Sequence, residues 1–123
     1  MIKAMIVDDS SIIRKLFAKT LEDIGIEVVA VAKDGKEAIK LYDEKQPDLI
    51  TMDITMPIMD GIESLKAILT RNKEAKVIMV TSHGEERLVM EAISNGAKGY
   101  VLKPVTQQSI EQAIYNIFPE LKK

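Results

Sequence analysis

Residues 4–25 read AMIVDDSSIIRKLFAKTLEDIG, and the fold follows from how that stretch changes period. Ala4 to Val7 is a continuous apolar run, the pattern of a strand buried on both faces rather than one with a wet side. Asp8 and Asp9 stop it. Ser10 or Ser11 then supplies a side-chain oxygen suited to cap a helix. Ile13, Leu16, Phe17, Thr20, Leu21 and Ile24 recur at spacings of three and four and make one apolar stripe. Gly25 is placed to end that helix in the left-handed conformation. The same strand-then-helix unit repeats along the chain. Apolar runs at 28–31, 49–52, 77–80 and 100–102 alternate with helical stripes through Ala38, Leu41 and Tyr42, then Ile62, Leu65, Ile68 and Leu69. Leu88, Val89, Ala92 and Ile93 form the fourth stripe, and Ile110, Ala113, Ile114 and Ile117 the fifth. Asp34-Gly35, Pro47-Asp48, Asp60-Gly61 and Asn95-Gly96 punctuate the boundaries, and Thr106 stands ready to cap the last helix. Five βα units with short connections predict an α/β fold, a (βα)5 doubly wound parallel five-stranded sheet with helices on both faces. No linker or low-complexity stretch interrupts residues 1–123, so one domain is expected.

Composition removes several functions. The chain has no cysteine and one histidine, which leaves no disulfide framework and no thiolate zinc site. Its net charge of −2 comes without a basic block, against nucleic-acid binding by this domain alone. No apolar run approaches the ~20 residues of a membrane span. The apolar N-terminal run ends in two aspartates, unlike a signal peptide.

In an open α/β sheet ligands bind beyond the carboxyl ends of the strands, so the residues just after each strand matter most. Asp8 and Asp9 follow the first strand and Asp53 ends the third. Thr81 and Ser82 follow the fourth, and Lys103 and Pro104 the fifth. Singly, each has a plain structural reading: a turn and cap for Asp8-Asp9, a strand end for Asp53, a cap on the fourth helix for Thr81-Ser82, a solvated charge for Lys103. Met52, Met56 and Met59 read as packing residues. Together, three carboxylates, two hydroxyls and an ammonium share one edge. Crowded carboxylates cannot all ionise cheaply. A hard divalent cation resolves that conflict, and Mg²⁺ suits a site of one or two carboxylates plus a phosphate. Lys103 is a suitable phosphate partner, Thr81 a hydrogen-bond donor to a phosphoryl oxygen, and a carboxylate a competent nucleophile. The set supports phosphoryl transfer to an aspartate with charge stabilisation by metal and lysine.

The segments Met5-Ile-Val-Asp-Asp9, Met52-Asp-Ile-Thr-Met-Pro57 with Met59-Asp-Gly61, Val80-Thr-Ser82 and Gly99-Tyr-Val-Leu-Lys-Pro104, in that order, resemble the receiver domains of two-component response regulators, most of all the stand-alone CheY-type members. The resemblance covers essentially the whole chain. It implies the strand order 2-1-3-4-5 known for that family. It also implies that Asp53 is the phospho-acceptor and that Asp9 binds Mg²⁺ directly, with Asp8 acting directly or through water. The backbone carbonyl of Thr55 is the implied third protein ligand beside Asp53. Lys103 is implied to pair with the phosphate, across a cis bond to Pro104. Thr81 is implied as the switch hydroxyl, and Tyr100 as the aromatic that changes rotamer with it.

The implied partners are a histidine kinase or phosphotransfer protein, docking near the start of the first helix where Ile12 and Arg14 lie, and a downstream protein, such as a flagellar motor switch. The downstream protein would be met by the fourth helix, fifth strand and fifth helix. A cytoplasmic monomer that catalyses only its own phosphorylation and dephosphorylation, rather than an enzyme, is expected. Thr55 and His83 occupy positions that tune acyl-phosphate lifetime in the family, and His83 is expected in solvent. Val105 replaces a commonly aromatic residue, and Ile54 is likewise not aromatic. A receiver cut from a longer regulator, or a phosphorelay intermediate, would read similarly. An aspartyl-phosphate phosphatase would place an acidic residue where Thr55 stands. A flavin carrier would not place Asp8-Asp9 against a phosphate.

Overall fold

The structure, a computed structural model, describes residues 1–122; Lys123, the last residue of the expected domain, lies outside the described residues. Five βα units follow in order: β1 (Lys3–Val7), α1 (Ser11–Ile24), β2 (Glu27–Ala32), α2 (Gly35–Lys45), β3 (Leu49–Asp53), α3 (Gly61–Arg71), β4 (Lys76–Thr81), α4 (Glu86–Ser94), β5 (Gly99–Leu102) and α5 (Gln107–Ile117). A short 3₁₀ turn, Pro119–Leu121, follows α5. All strand pairs are parallel, in the order β2-β1-β3-β4-β5. The sheet is thus the doubly wound α/β arrangement read from the sequence.

The caps explain where the helices begin. Ser10, Asp34, Asp60 and Thr106 sit in extended backbone and accept from an amide three residues on, each satisfying a donor that the first helical turn leaves orphaned. Asp60 and Glu63 complete a reciprocal capping box. Gly25 and Gly96 adopt φ of 103° and 109°, so α1 and α4 stop in the left-handed region that glycine enters without strain. The plain alternative for Thr81-Ser82, a cap on α4, is not what forms. That helix starts later, at Glu86, with Glu85 in the cap position and no side-chain cap bond.

Two cores lie on opposite faces of the sheet. One joins Met5, Val7, Ile50, Met52, Val77 and Met79 to the apolar faces of α2, α3 and α4. The other joins Ala4, Ile6, Leu49, Ile78, Val80 and Val101 to Phe17 and Leu21 of α1 and Ile110 and Ile114 of α5. The central strands β1, β3 and β4 are buried on both faces apart from the first residues of β1 and β4, as their unbroken apolar runs predict. The edge strands differ. In β5 Tyr100 and Leu102 are exposed while Val101 is buried, and β2 is only partly covered, because an edge strand lacks a full helical layer on both sides. At the edge away from the strands' carboxyl ends, Ile2, Asp48, Asn72 and Phe118 line one shallow cleft, so the beginning of β1 and the segment after α5 share that side. Among the described residues no helix is long and apolar enough to cross a membrane.

Candidate functional site

Sheet register assembles the site. Val7 of β1 pairs with Met52 of β3, so the next residues along, Asp8 and Asp53, emerge side by side between the two strands where the winding reverses. Asp53 pairs with Val80, one residue before Thr81, and Thr81 pairs with Leu102, one residue before Lys103. The Lys103 amide donates to the Thr81 carbonyl at 2.7 Å, and the Ile54 amide to the Val80 carbonyl at 3.0 Å, which carries the ladder to the mouth of the site. The Lys103–Pro104 bond is cis.

The expected carboxylates converge. One oxygen from each of Asp8, Asp9 and Asp53 lies within 4.8 Å of the others. Asp8 and Asp53 are buried and Asp9 is exposed. Asp8 Oδ1 accepts from the Ser10 amide at 2.8 Å, whereas its buried Oδ2 has no partner among the described residues. A buried carboxylate oxygen without a donor is costly, and beside two other carboxylates it is where a cation belongs. The donor set, all hard oxygen, fits a divalent ion of the magnesium or calcium type. Thr55 holds the third side: its amide points at Asp53 Oδ1 at 3.4 Å.

Electrostatics follow from this crowding. Burial pushes the Asp53 carboxyl up, and the neighbouring Asp8 adds to it. Lys103 and the Thr55 amide oppose them, and the balance is a pKa of about 6. Asp8 is also raised, chiefly by burial, against the Ser10 amide and the Lys103 charge. Lys103 Nζ lies 3.5 Å from Asp53 Oδ2.

Thr81 is buried and donates its hydroxyl to Glu85 Oε1 at 3.0 Å. Tyr100, 55 % exposed, lines a groove of about 290 Å³ with Thr81, Ser82, His83, Glu86, Val89, Met90, Ile93 and Leu102. His83 is exposed. Ile12, 78 % exposed, stands on the first turn of α1. Arg14, half-buried on the same turn, donates to the Asp8 carbonyl at 2.6 Å, bracing the β1–α1 connection.

Three features have roles that the sequence analysis did not assign. The first is Glu85, whose two oxygens bridge the loops after β3 and β4. Its half toward Ser82 has a signal, since Ser82-His-Gly-Glu85 has the spacing of a capping box; its half toward Thr55, thirty residues back, has none. The second is Gly61: a Cβ there would lie 2.2 Å from the Asp53 carbonyl oxygen and 2.8 Å from Ile54 Cα, so the chain around Asp53 closes only over hydrogen. The third is Ile58, 78 % exposed, with φ of 70° in a three-residue turn closed by the Met59 amide on the Pro57 carbonyl at 2.8 Å. A β-branched residue in that region is strained.

Comparison with known proteins agrees with this geometry. The family model of the response regulator receiver domain matches residues 4–115. The chemotaxis protein CheY of Listeria monocytogenes is 43 % identical over 114 residues, covering 93 % of this chain and 96 % of that one. The chemotaxis protein CheY of Bacillus subtilis is 42 % identical over 112 residues, covering 91 % and 93 %. In solved structures, a chain of the CheX–CheY–BeF₃–Mg²⁺ complex of Borrelia burgdorferi superposes with a TM-score of 0.90 at 35 % identity, covering 95 % of this chain and 89 % of that one.

Proposed function

The chain belongs to the response regulator receiver domain family, and from that premise we propose that it is a phosphorylation-activated signalling switch of the chemotaxis type, with Asp53 as its phospho-acceptor. The observation that carries the reading is the row of Asp8, Asp53, Thr81 and Lys103 along consecutive strand ends, with Asp9 beside it. Asp8, Asp9, Asp53 and the Thr55 carbonyl would hold Mg²⁺. Bound there, the ion supplies positive charge against the phosphoryl oxygens and relieves the carboxylate crowding.

Asp53 must be ionised to attack, and its pKa of about 6 leaves it mostly so at neutral pH. Its oxygen forms a bond to phosphorus as the bond from phosphorus to the donor's histidine nitrogen breaks. The electron pair stays on the imidazole, which takes up a proton. Lys103, already 3.5 Å from Asp53 Oδ2, is placed to pair with the transferred group. Thr81 then turns from Glu85 toward the phosphoryl oxygens. The change is a population shift driven by whatever binds the phosphorylated arrangement better, worth about 1–3 kcal/mol in such couplings. Tyr100, on the exposed face beside Thr81, would follow it. The donor is a histidine kinase or phosphotransfer protein. The receiver of the signal is a protein, such as a flagellar motor switch, on the α4–β5–α5 face. The protein acts as a cytoplasmic monomer and catalyses its own phosphorylation and dephosphorylation only, with no external substrate turned over.

Intact mass with acetyl phosphate tests this. A phosphoryl adduct that needs Mg²⁺, resists acid, yields to base and is missing in Asp53→Asn is the expected result. An unmodified wild type under conditions where Mg²⁺ demonstrably binds refutes it.

A further inference from the structure

One charged side chain at this site has no part in the chemistry above. Glu85 lies in the cap position of α4, half-buried, with its carboxylate turned back toward the strand ends. Oε1 accepts from the Ser82 amide at 2.6 Å and from the Thr81 hydroxyl at 3.0 Å; Oε2 accepts from the Thr55 hydroxyl at 2.7 Å. Burial works to raise its pKa, but the three hydrogen bonds, from Thr55, Ser82 and Thr81, together with the charge of Lys103, outweigh it and hold the carboxyl below its usual value.

The Thr81 hydroxyl is the donor that the proposed switch gives to a phosphoryl group on Asp53, and the other two flank the same carboxylate: Ser82 follows Thr81, and Thr55 lies two residues after Asp53. A threonine hydroxyl has one proton and a backbone amide one, so each is given to one strong acceptor at a time. Lys103 serves both anions, since its field reaches Glu85 as well as Asp53. We propose that the Glu85 carboxylate is a built-in competitor for the phosphoryl-binding donors: a positioning residue that holds Thr81, Ser82 and Thr55 in the resting arrangement and is displaced when Asp53 becomes phosphorylated. This rests on Asp53 being the phospho-acceptor.

Two physical facts give the displacement its direction. A phosphoryl group brings about −1.5 to −2 charge and three acceptor oxygens into the donor set that one carboxylate already fills, and two anions cannot share it cheaply. Leaving costs Glu85 these three hydrogen bonds, whose donors the phosphoryl oxygens take over, but nothing in the helix. It makes no cap bond to α4, so turning the side chain outward breaks no helix contact. Helix capping alone would account for the Ser82 bond, which has capping-box spacing. It does not account for Oε2 on Thr55, which belongs to the loop after β3.

The test is titration of the full chain with beryllofluoride in the presence of Mg²⁺, as a stable phosphoryl mimic, followed by ¹⁹F NMR and calorimetry. Glu85→Ala is expected to bind about tenfold more tightly than wild type, the order of a charge-assisted hydrogen bond set released. Glu85→Gln keeps the shape and one acceptor oxygen but not the charge, and is expected to fall between the two. Glu86→Ala removes the same charge one residue along, from an exposed side chain that accepts from the Gly84 amide at 3.4 Å, and is expected to stay within twofold of wild type. Unchanged or weaker binding by Glu85→Ala, with wild type still forming its adduct, overturns the competitor while leaving the phospho-acceptor standing. Equal gains in Glu86→Ala and Glu85→Ala also overturn it, because the effect is then general charge. An adduct absent from every form, or retained in Asp53→Asn, overturns the phospho-acceptor and the competitor together.

Discussion

Replacing Asp53 by asparagine should make the metal-free protein more stable. The carboxyl rises from 3.8 in the unfolded chain to about 6 in the fold, first through burial and then through Asp8. A carboxyl raised by folding favours the folded state while it is protonated. That contribution is complete below 3.8, is lost as pH rises toward 6, and is gone above it. At pH 7 the loss corresponds to about 3 kcal/mol. The side chain is 5 % exposed, but it faces a cleft bordered by exposed Asp9 and Thr55, and water there screens part of the effect, leaving about 1–2 kcal/mol. Asparagine keeps the shape and an oxygen for the Thr55 amide but cannot ionise. In EDTA at pH 7.5 it should melt roughly 5 °C above wild type, given the usual relation between free energy and melting temperature for a domain of this size. The gap should close as pH falls from 6 to below 4. It should narrow in saturating Mg²⁺, which stabilises wild type by mass action and the variant less. Thermal melts by circular dichroism across pH, with and without Mg²⁺, decide the matter. A variant that melts at or below wild type in EDTA, or a gap indifferent to pH, would refute the account of the acidic cluster as strained.

Gly61→Ala should cost about 1–3 kcal/mol in urea unfolding and slow phosphorylation by acetyl phosphate, because its Cβ meets the Asp53 carbonyl and Ile54 Cα, backbone atoms that cannot yield without moving the acceptor; wild-type rates would show that Asp53 is not held by this contact. Ile68→Ala, at a fully buried position between α3 and the sheet, should cost about 2–5 kcal/mol by the same unfolding measurement. Lys103→Ala removes the cation 3.5 Å from Asp53 and should move that carboxyl further above its already raised value, read by carboxyl ¹³C NMR titration; a fall would mean the lysine does not face Asp53 in solution.

The sheet was legible because its central strands are buried on both faces, and a run such as Met5-Ile-Val7 or Leu49-Ile-Thr-Met52 has few other uses. Strand ends were less so: Lys3, Glu27 and Lys76 pair through backbone groups that need no apolar side chain. The site residues were legible because parallel register brings strand ends into one row. What escaped depended on contacts that register does not encode. Arg14 could be placed on the first helix but not turned toward the Asp8 carbonyl. Glu85 joins two loops through the ends of a flexible side chain, and Gly61 matters for the atoms it lacks.

The shallow cleft shared by Ile2 and Phe118 has a practical consequence. Anything joined at either end of the described chain, whether a fluorescent reporter, a surface tether or another folded unit, would enter from the side opposite the reactive carboxylates. Such an attachment would leave the approach of a phosphodonor open. Held rigidly there, it would respond to a change at Asp53 through the flanks of the sheet rather than by touching that residue.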